Sequence, residues 1–271
     1  MIYVFIPCRL DREIIPTVYD LFGKAEDPTN IKVVIFNQDR AVDCYTQDMF
    51  PENVLLVNVD YNKFSNICFI RSLAHFFVEP KYKYFLSIDS HMRFDRGWDK
   101  ILIDNLPDKS ILSAYPSPYE LYGKPLPDNT AYRVNDFNRK GEGAFPFVSK
   151  LCEQNVTHCV STIACGFFFT HIDWLKDVGF NKHLCWRYEE IDLTYRSIGA
   201  GYKIVNSKQT PVYHLYNRMD SRKLDDHQEY WLTDCDTEFK NTLNPTTTAL
   251  VNEYYDIDFM DWLKKIYKIS W

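Results

Sequence analysis

The chain has 271 residues, of which 46% are hydrophobic and 25% are charged, a balance typical of folded globular proteins. Its formal net charge is −6 and no basic block stands out, which argues against a nucleic-acid-binding protein that neutralises phosphates. No apolar stretch approaches the roughly 20 residues of a membrane span, and neither a secretory leader nor a C-x-x-C pair is visible. These features predict a cytoplasmic protein with reduced cysteines.

The first hundred residues alternate short apolar runs with segments of helical periodicity. Strands are predicted at residues 2–6, 31–36, 54–59 and 84–88, and helices at residues 11–22, 67–78 and 98–106. This alternation predicts an α/β fold with a mostly parallel central sheet flanked by helices. Ligands of such sheets lie beyond the carboxyl ends of the strands, so a candidate site is expected there.

The rest of the chain has a different pattern. Residues 115–150 are rich in proline and glycine, which predicts long loops. A strand is expected at residues 163–170, helices at 173–178 and 189–198, and short strands at 203–205 and 212–215. From residue 222 the pattern is largely helical. The predicted organisation is a main domain at residues 1–218 and a helical C-terminal extension, residues 219–271, packed on the same domain.

The sharpest local pattern is an apolar strand that runs directly into Asp89 and His91. Side chains two residues apart on a strand point the same way, so this carboxylate and imidazole are expected to face one point. Both groups suit a divalent ion such as Mn²⁺, or Mg²⁺, which can bridge two phosphates. His214 would complete an Asp-His-His set. The alternative is that Asp89 caps a turn, His91 lies at the surface and His214 belongs to the core.

Three carboxylates, Glu189, Glu190 and Asp192, crowd the start of a predicted helix. The helix dipole favours acidic residues there, and Asp192 is spaced to pair with Arg196. The same carboxylates stand near Trp186, which suits a site that grips sugar hydroxyls. One of them would then be the general base of an inverting reaction. The spacing alone favours neither interpretation.

Other polar residues are placed to contact a nucleotide. The first and second strands end near candidates for cradling a base or phosphate, and the guanidinium of Arg71 could reach a pyrophosphate. Neither G-x-G-x-x-G nor a Walker A pattern is present, which disfavours dinucleotide oxidoreductases and P-loop enzymes. The candidate nucleotide-binding residues are Pro7, Arg9, Asp11, Asn37, Arg71, Asp89 and Ser90.

Four segments together resemble a known family. They are IPCR at residues 6–9, RSLA at 71–74, DSHMRFDRGWD at 89–99 and YEEIDL at 188–193. They resemble the glycosyltransferase family of the Skp1-type polypeptide α-N-acetylglucosaminyltransferases, over residues 2–218. The layout is also similar to that of the polypeptide N-acetylgalactosaminyltransferases, which pair a D-x-H motif with a later histidine. That layout maps onto Asp89, His91 and His214.

The resemblance implies a GT-A fold, a UDP-GlcNAc donor, a divalent metal and retention of configuration. The predicted function is therefore metal-dependent transfer of a sugar, GlcNAc from UDP-GlcNAc, to a hydroxyl of a protein or glycan. In a retaining reaction the leaving phosphate can take the acceptor's proton, so no side-chain base is required. Two alternatives stay open: a UDP-sugar hydrolase or pyrophosphorylase that uses the same metal site, and a catalytically silent nucleotide-sugar-binding module.

Overall fold

The structure is a computed structural model. It describes residues 1–9, 11–39, 45–64, 66–120, 132–134, 149–151, 162–184, 188–206, 210–216, 235–255 and 257–267. Trp186 and most of the predicted loop region at residues 115–150 lie outside these ranges. Among the helices that are described, none has the length and apolar character needed to cross a membrane.

Twelve strands and eight α-helices occur within the described residues. The strands are β1 (Ile2–Arg9), β2 (Ile31–Asp39), β3 (Val54–Asp60), β4 (Tyr84–Ile88), β5 (Met92–Phe94), β6 (Ser110–Ser113), β7 (Ser117–Pro118), β8 (Tyr132–Val134), β9 (Ser149–Leu151), β10 (Phe167–His171), β11 (Lys203–Val205) and β12 (Val212–His214). The helices are α1 (Ile14–Lys24), α2 (Ile67–Ser72), α3 (Trp98–Asn105), α4 (Trp174–Asp177), α5 (Glu189–Gly199), α6 (Cys235–Thr242), α7 (Pro245–Tyr255) and α8 (Phe259–Tyr267).

The central sheet has seven strands in the order β11-β6-β10-β4-β1-β2-β3. Only β10 runs antiparallel to its neighbours, β4 and β6. The prediction of a mostly parallel α/β sheet is therefore confirmed. Two strands follow β1 on one side, whereas β4 lies on its other side. The carboxyl ends of β1 and β4 thus form the topological switch point at which ligands bind in open α/β sheets.

The sheet is buried on both faces because its strands are apolar at almost every position. On one face, β1 and β4 side chains such as Val4 and Leu86 pack against α1 and α3. On the other face, side chains such as Phe5 and Phe85 pack against α2, α4, α5 and the C-terminal helices α6, α7 and α8. The C-terminal helices lie against α5, where the Tyr195 hydroxyl donates to the Asn244 carbonyl at 2.8 Å.

The structure differs from the sequence prediction in several places. The helix predicted at residues 67–78 is α-helical only to Ser72 and continues as a 3₁₀-helix, Leu73–Phe77. The Ser72 hydroxyl and the His75 ring both bond to backbone carbonyls, at 2.6 and 2.5 Å, and so compete with the regular helical pattern. The short strands β5, β6 and β7 were not predicted. Within the region predicted as loops, β8 and β9 pair antiparallel.

Candidate functional site

The site lies at the switch point of the sheet. Asp11 follows the end of β1, and Asp89 follows the end of β4. The residues from Asp89 to His91 form a bend between β4 and β5, not a continuation of the strand. The side chains of Asp89 and His91 therefore converge because the backbone bends between them. The sequence argument had assumed instead that they alternate along one strand. The expected position beyond the strand's carboxyl end is correct.

A second, three-stranded sheet brings His214 to the same point. Its order is β5-β12-β7, and His214 of β12 pairs in register with Met92 of β5. The backbone N–H of Leu215 donates to the His91 carbonyl at 3.1 Å. His214 is thereby fixed beside a residue that is 123 positions earlier in the chain.

Asp89, His91 and His214 offer three ligand atoms that lie within 4.8 Å of one another. The Nε2 atoms of the two histidines are 3.0 Å apart, and Asp89 Oδ2 is 3.2 Å from His214 Nε2 and 3.8 Å from His91 Nε2. Two ligands bonded to one metal at about 2.1 Å and at right angles are about 3.0 Å apart. The separations and the mixed nitrogen and oxygen donors thus fit a divalent transition ion such as Mn²⁺.

Asp11 and Ser90 lie behind this cluster. Asp11 Oδ2 is 2.8 Å from His91 Nδ1 and accepts a hydrogen bond from the Ser90 hydroxyl at 2.6 Å. Burial would raise the pKa of Asp11, but the hydrogen bonds and charge of His91 and the hydrogen bond from Ser90 hold it well below its usual range. Both residues are buried, at 3% and 2% exposure. They were expected to contact a nucleotide, and in the structure the Asp11 carboxylate contacts His91 and Ser90.

Arg71 is also buried, and both terminal nitrogens of its guanidinium contact protein groups. One end of its guanidinium pairs with Glu189, and Nη2 lies 3.3 Å from Asp89 Oδ1 and 3.4 Å from the Cys165 carbonyl. Burial would raise the pKa of Asp89, but the hydrogen bond from His214 and the charges of the histidines and Arg71 keep it low. The two histidines, together with Arg71, therefore keep Asp89 ionised, and Arg71 orients it from behind.

Gly166 makes room for Oδ2 of Asp89, the oxygen that belongs to the candidate ligand set. A Cβ atom at this position would lie 3.0 Å from Asp89 Oδ2 and 3.5 Å from its Cγ. The Gly166 carbonyl also accepts the backbone N–H of Asp89 at 3.1 Å. The sequence analysis missed this residue, because a single glycine ahead of a strand carries no information about what approaches it.

The three carboxylates of α5 have different environments. Glu189 is buried against Arg71, and burial raises its pKa. Glu190 is half-buried beside Tyr115, a residue that the sequence analysis also missed. Asp192 is 1% exposed and accepts a hydrogen bond from Arg196 Nε at 2.7 Å. This contact is the ion pair that the spacing of the two residues suggested. The three groups therefore do not point at one common place.

The remaining candidates, Pro7, Arg9 and Asn37, lie on β1 and β2. The Arg9 guanidinium lies over the Tyr61 ring, with its carbon 3.9 Å from the ring centroid. Asn37 is buried and donates to Asn58 at 3.0 Å. Pro7 is buried within β1, opposite Phe36 of β2. The Arg9 guanidinium at the end of β1 thus covers the buried Tyr61 ring, which follows β3.

The fold is that of the GT-A glycosyltransferases. Among solved structures, the chain is similar to GalNAc-T7 with UDP, GalNAc and Mn²⁺, with a TM-score of 0.62 at 12% identity, covering 97% of this chain and 49% of that one. It is also similar to S. aureus TarS 1-349 in complex with UDP-GlcNAc, with a TM-score of 0.53 at 14% identity, covering 99% of this chain and 76% of that one. At such low sequence identities, these structural similarities establish a shared fold and nothing more.

The family is shown by the sequence itself. Residues 44–244 match the model of the glycosyltransferase (GlcNAc) family, and the chain belongs to that family. No curated protein matches the chain. The chain spans about half the length of the GalNAc-T7 chain, so it corresponds to part of that protein.

Proposed function

We propose that the protein transfers GlcNAc from UDP-GlcNAc to a hydroxyl of a protein or glycan, as the Skp1-type polypeptide α-N-acetylglucosaminyltransferases do. The observation that carries this proposal is the convergence of Asp89, His91 and His214 at the switch point of a GT-A sheet. The presence of UDP, GalNAc and Mn²⁺ in GalNAc-T7, and of UDP-GlcNAc in TarS, supports the donor class.

The three ligands would hold Mn²⁺ or Mg²⁺. A bound divalent ion would neutralise the charge that develops on the diphosphate as its bond to the sugar breaks. Asp89 is held for this role by Arg71 on one oxygen, which leaves Oδ2 directed at the histidines. The base of the nucleotide would lie near Pro7, Asn37 and Arg9. One face of the Arg9 guanidinium covers the Tyr61 ring, and the other face would be offered to a planar base.

Retention of configuration is the stereochemistry that we propose. Glu189 is ion-paired with Arg71 and Asp192 with Arg196, so each of these carboxylates is already engaged by a cation. The acceptor oxygen would then bond to the anomeric carbon on the face that the diphosphate leaves. The acceptor's proton would pass to the departing phosphate oxygen. Glu190 and Trp186 remain the candidates for contacts to sugar hydroxyls.

We also propose that residues 1–218 form the glycosyltransferase domain and that residues 219–271 are an extension packed on it. The burial of Phe239, Val251 and Leu263 in the same core cluster as α5 side chains supports this organisation.

The test is calorimetric binding of UDP and UDP-GlcNAc, with and without Mn²⁺, followed by NMR of the product. We expect Mn²⁺-dependent binding and an α-linked product, both lost in Asp89→Asn, because one of three ligands then has no charge. A matched control is Asp104→Asn, which alters an exposed ion pair on α3. Unchanged Mn²⁺ dependence in Asp89→Asn would contradict the assignment. Complete UDP release without any acceptor would indicate a hydrolase.

A further inference from the structure

Glu190 is held on both carboxylate oxygens by groups from other parts of the chain. The Tyr115 hydroxyl donates to Oε2 at 2.6 Å, and the Cys165 backbone N–H donates to Oε1 at 3.0 Å. Tyr115 follows β6 and Cys165 precedes β10, so the tertiary structure fixes the orientation of the carboxylate. Each oxygen keeps a further lone pair and can still accept a hydrogen bond.

On one side, the Tyr115–Glu190 pair adjoins the segment that touches Asp89. The residue after Cys165 is Gly166, whose carbonyl accepts the Asp89 backbone N–H at 3.1 Å and which has no room for a side chain beside Asp89 Oδ2. Glu190 is therefore separated from this metal ligand by one short stretch of backbone.

On the other side, the pair adjoins the segment that touches His214. The residue after Tyr115 is Pro116, whose carbonyl accepts the Tyr216 hydroxyl at 2.9 Å. The Tyr216 ring centroid lies 4.2 Å from that of His214, and Tyr216 is 46% exposed. The pair thus lies beside the metal site, next to an open aromatic surface.

Several charged groups act on the Glu190 carboxyl. Burial raises the pKa of Glu190 to about 7, against the hydrogen bonds from Tyr115 and the Cys165 backbone, which lower it. The charge of Glu189 on the same helix contributes to this rise, and that of Arg71 on α2 opposes it. Burial and Glu190 raise the pKa of Tyr115 well above its usual value, so the phenol keeps its proton and remains a donor.

We propose that Tyr115 is a positioning residue that orients the Glu190 carboxylate and favours its ionised form, in which Glu190 accepts a hydrogen bond from a hydroxyl of the donor sugar. This inference rests on the proposed sugar transfer. The sugar is bonded to the diphosphate, and the diphosphate is held by the metal ligands that the pair adjoins. When Glu190 takes up a proton, this acceptor is lost, and recognition of the sugar weakens as the pH falls.

The test compares the affinities for UDP and for UDP-GlcNAc by calorimetry in Mn²⁺, from pH 6 to pH 8.5, in the wild type and in Tyr115→Phe. The ratio of the two affinities isolates the contribution of the sugar to binding, because a change at the metal-binding residues affects UDP and UDP-GlcNAc alike. Removing a donor to a carboxylate raises its pKa, so we expect the ratio in Tyr115→Phe to fall about tenfold near pH 7 and to recover by pH 8.5. The UDP affinity should not change.

The matched control is Tyr202→Phe, which removes a similar hydrogen bond, from Tyr202 to Asp177 of α4 at 2.8 Å. We expect this variant to keep the wild-type ratio at every pH. An unchanged ratio in Tyr115→Phe, or a loss that does not recover at high pH, would overturn the role of Tyr115 while leaving the proposed function intact. Failure of the wild type to bind either UDP or UDP-GlcNAc in Mn²⁺ would instead refute the proposed function.

Discussion

His91 Nδ1 lies 2.8 Å from the carboxylate of Asp11, while its Nε2 faces His214 and Asp89. An ionised carboxylate only accepts hydrogen bonds, so the proton of the ring lies on Nδ1. The lone pair is then on Nε2, where a metal would bind. Because Asp11 follows β1 and His91 follows β4, this contact is a direct result of the two strands being neighbours in the sheet.

Replacing Asp11 with Asn should weaken metal binding without removing a ligand. The amide has no charge to fix the proton on Nδ1, so the His91 ring can present a protonated Nε2 to the ion. We expect the Mn²⁺ affinity, measured by titration with electron paramagnetic resonance, to fall about 10-fold to 100-fold. Asp104→Asn, on the exposed surface of α3, should bind Mn²⁺ like the wild type. An Asp11→Asn protein with wild-type affinity would contradict this role.

Gly166→Ala should weaken metal binding by crowding a ligand. The new methyl group would lie 3.0 Å from Asp89 Oδ2, so this oxygen has to move away from its position beside the histidines. We expect the Mn²⁺ affinity to fall about tenfold or more, since small displacements of ligands are costly in metal sites.

Gly23→Ala is the control for this substitution. Gly23 lies in α1, and a Cβ atom there meets nothing within 4 Å. Alanine should therefore stabilise the helix by about 0.5–1 kcal/mol and leave Mn²⁺ binding unchanged. The explanation by crowding fails if Gly166→Ala binds Mn²⁺ as tightly as Gly23→Ala does.

The buried ion pair of Arg71 and Glu189 should show strong coupling in a double-mutant cycle. Arg71→Leu leaves both Glu189 and Asp89 without their cation and should lower the free energy of unfolding by about 3–5 kcal/mol. The double variant Arg71→Leu/Glu189→Leu should lose less than the sum of the two single losses, because it leaves one fewer uncompensated charge. Urea denaturation of the metal-free protein measures all four states.

An exposed ion pair provides the comparison. Lys100 and Asp104 are 2.6 Å apart on α3, with side-chain exposures of 64% and 56%. Lys100→Ala should leave stability nearly unchanged, since solvent screens such pairs. Simple additivity in the Arg71 and Glu189 cycle would show that the two residues do not act as a pair.

The C-terminal helices should unfold together with the main domain. Leu263 of α8 is fully buried in the core cluster that includes α5. Leu263→Ala should therefore lower the free energy of unfolding of the whole chain by about 2–5 kcal/mol, in a single transition detected by circular dichroism and by tryptophan fluorescence. Leu250→Ala, at a position on α7 that is 41% exposed, should change it by less than about 0.5 kcal/mol. Two separate transitions would contradict a shared core.

The sequence by itself determined the local elements. Runs of apolar residues identified β1 to β4, and helical periodicity identified α1, α3 and α5, because burial of both sheet faces leaves a pattern in consecutive residues. The pairing of an acid and an imidazole, Asp89 and His91, was visible for the same reason, since both follow one strand. His214 was a candidate third ligand from its own segment, and the layout of the resembling families mapped onto the same three residues.

Only the tertiary structure decided what surrounds these ligands. Asp11, Tyr115 and Gly166 reach the site through pairings of β1, β6 and β10 with distant strands, and no pattern in neighbouring residues encodes such contacts. The antiparallel insertion of β10 between β4 and β6 was likewise not predictable, because an apolar strand looks the same in either direction. The local sequence indicates which residues are buried, whereas the residues that each of them contacts depend on how the whole chain packs.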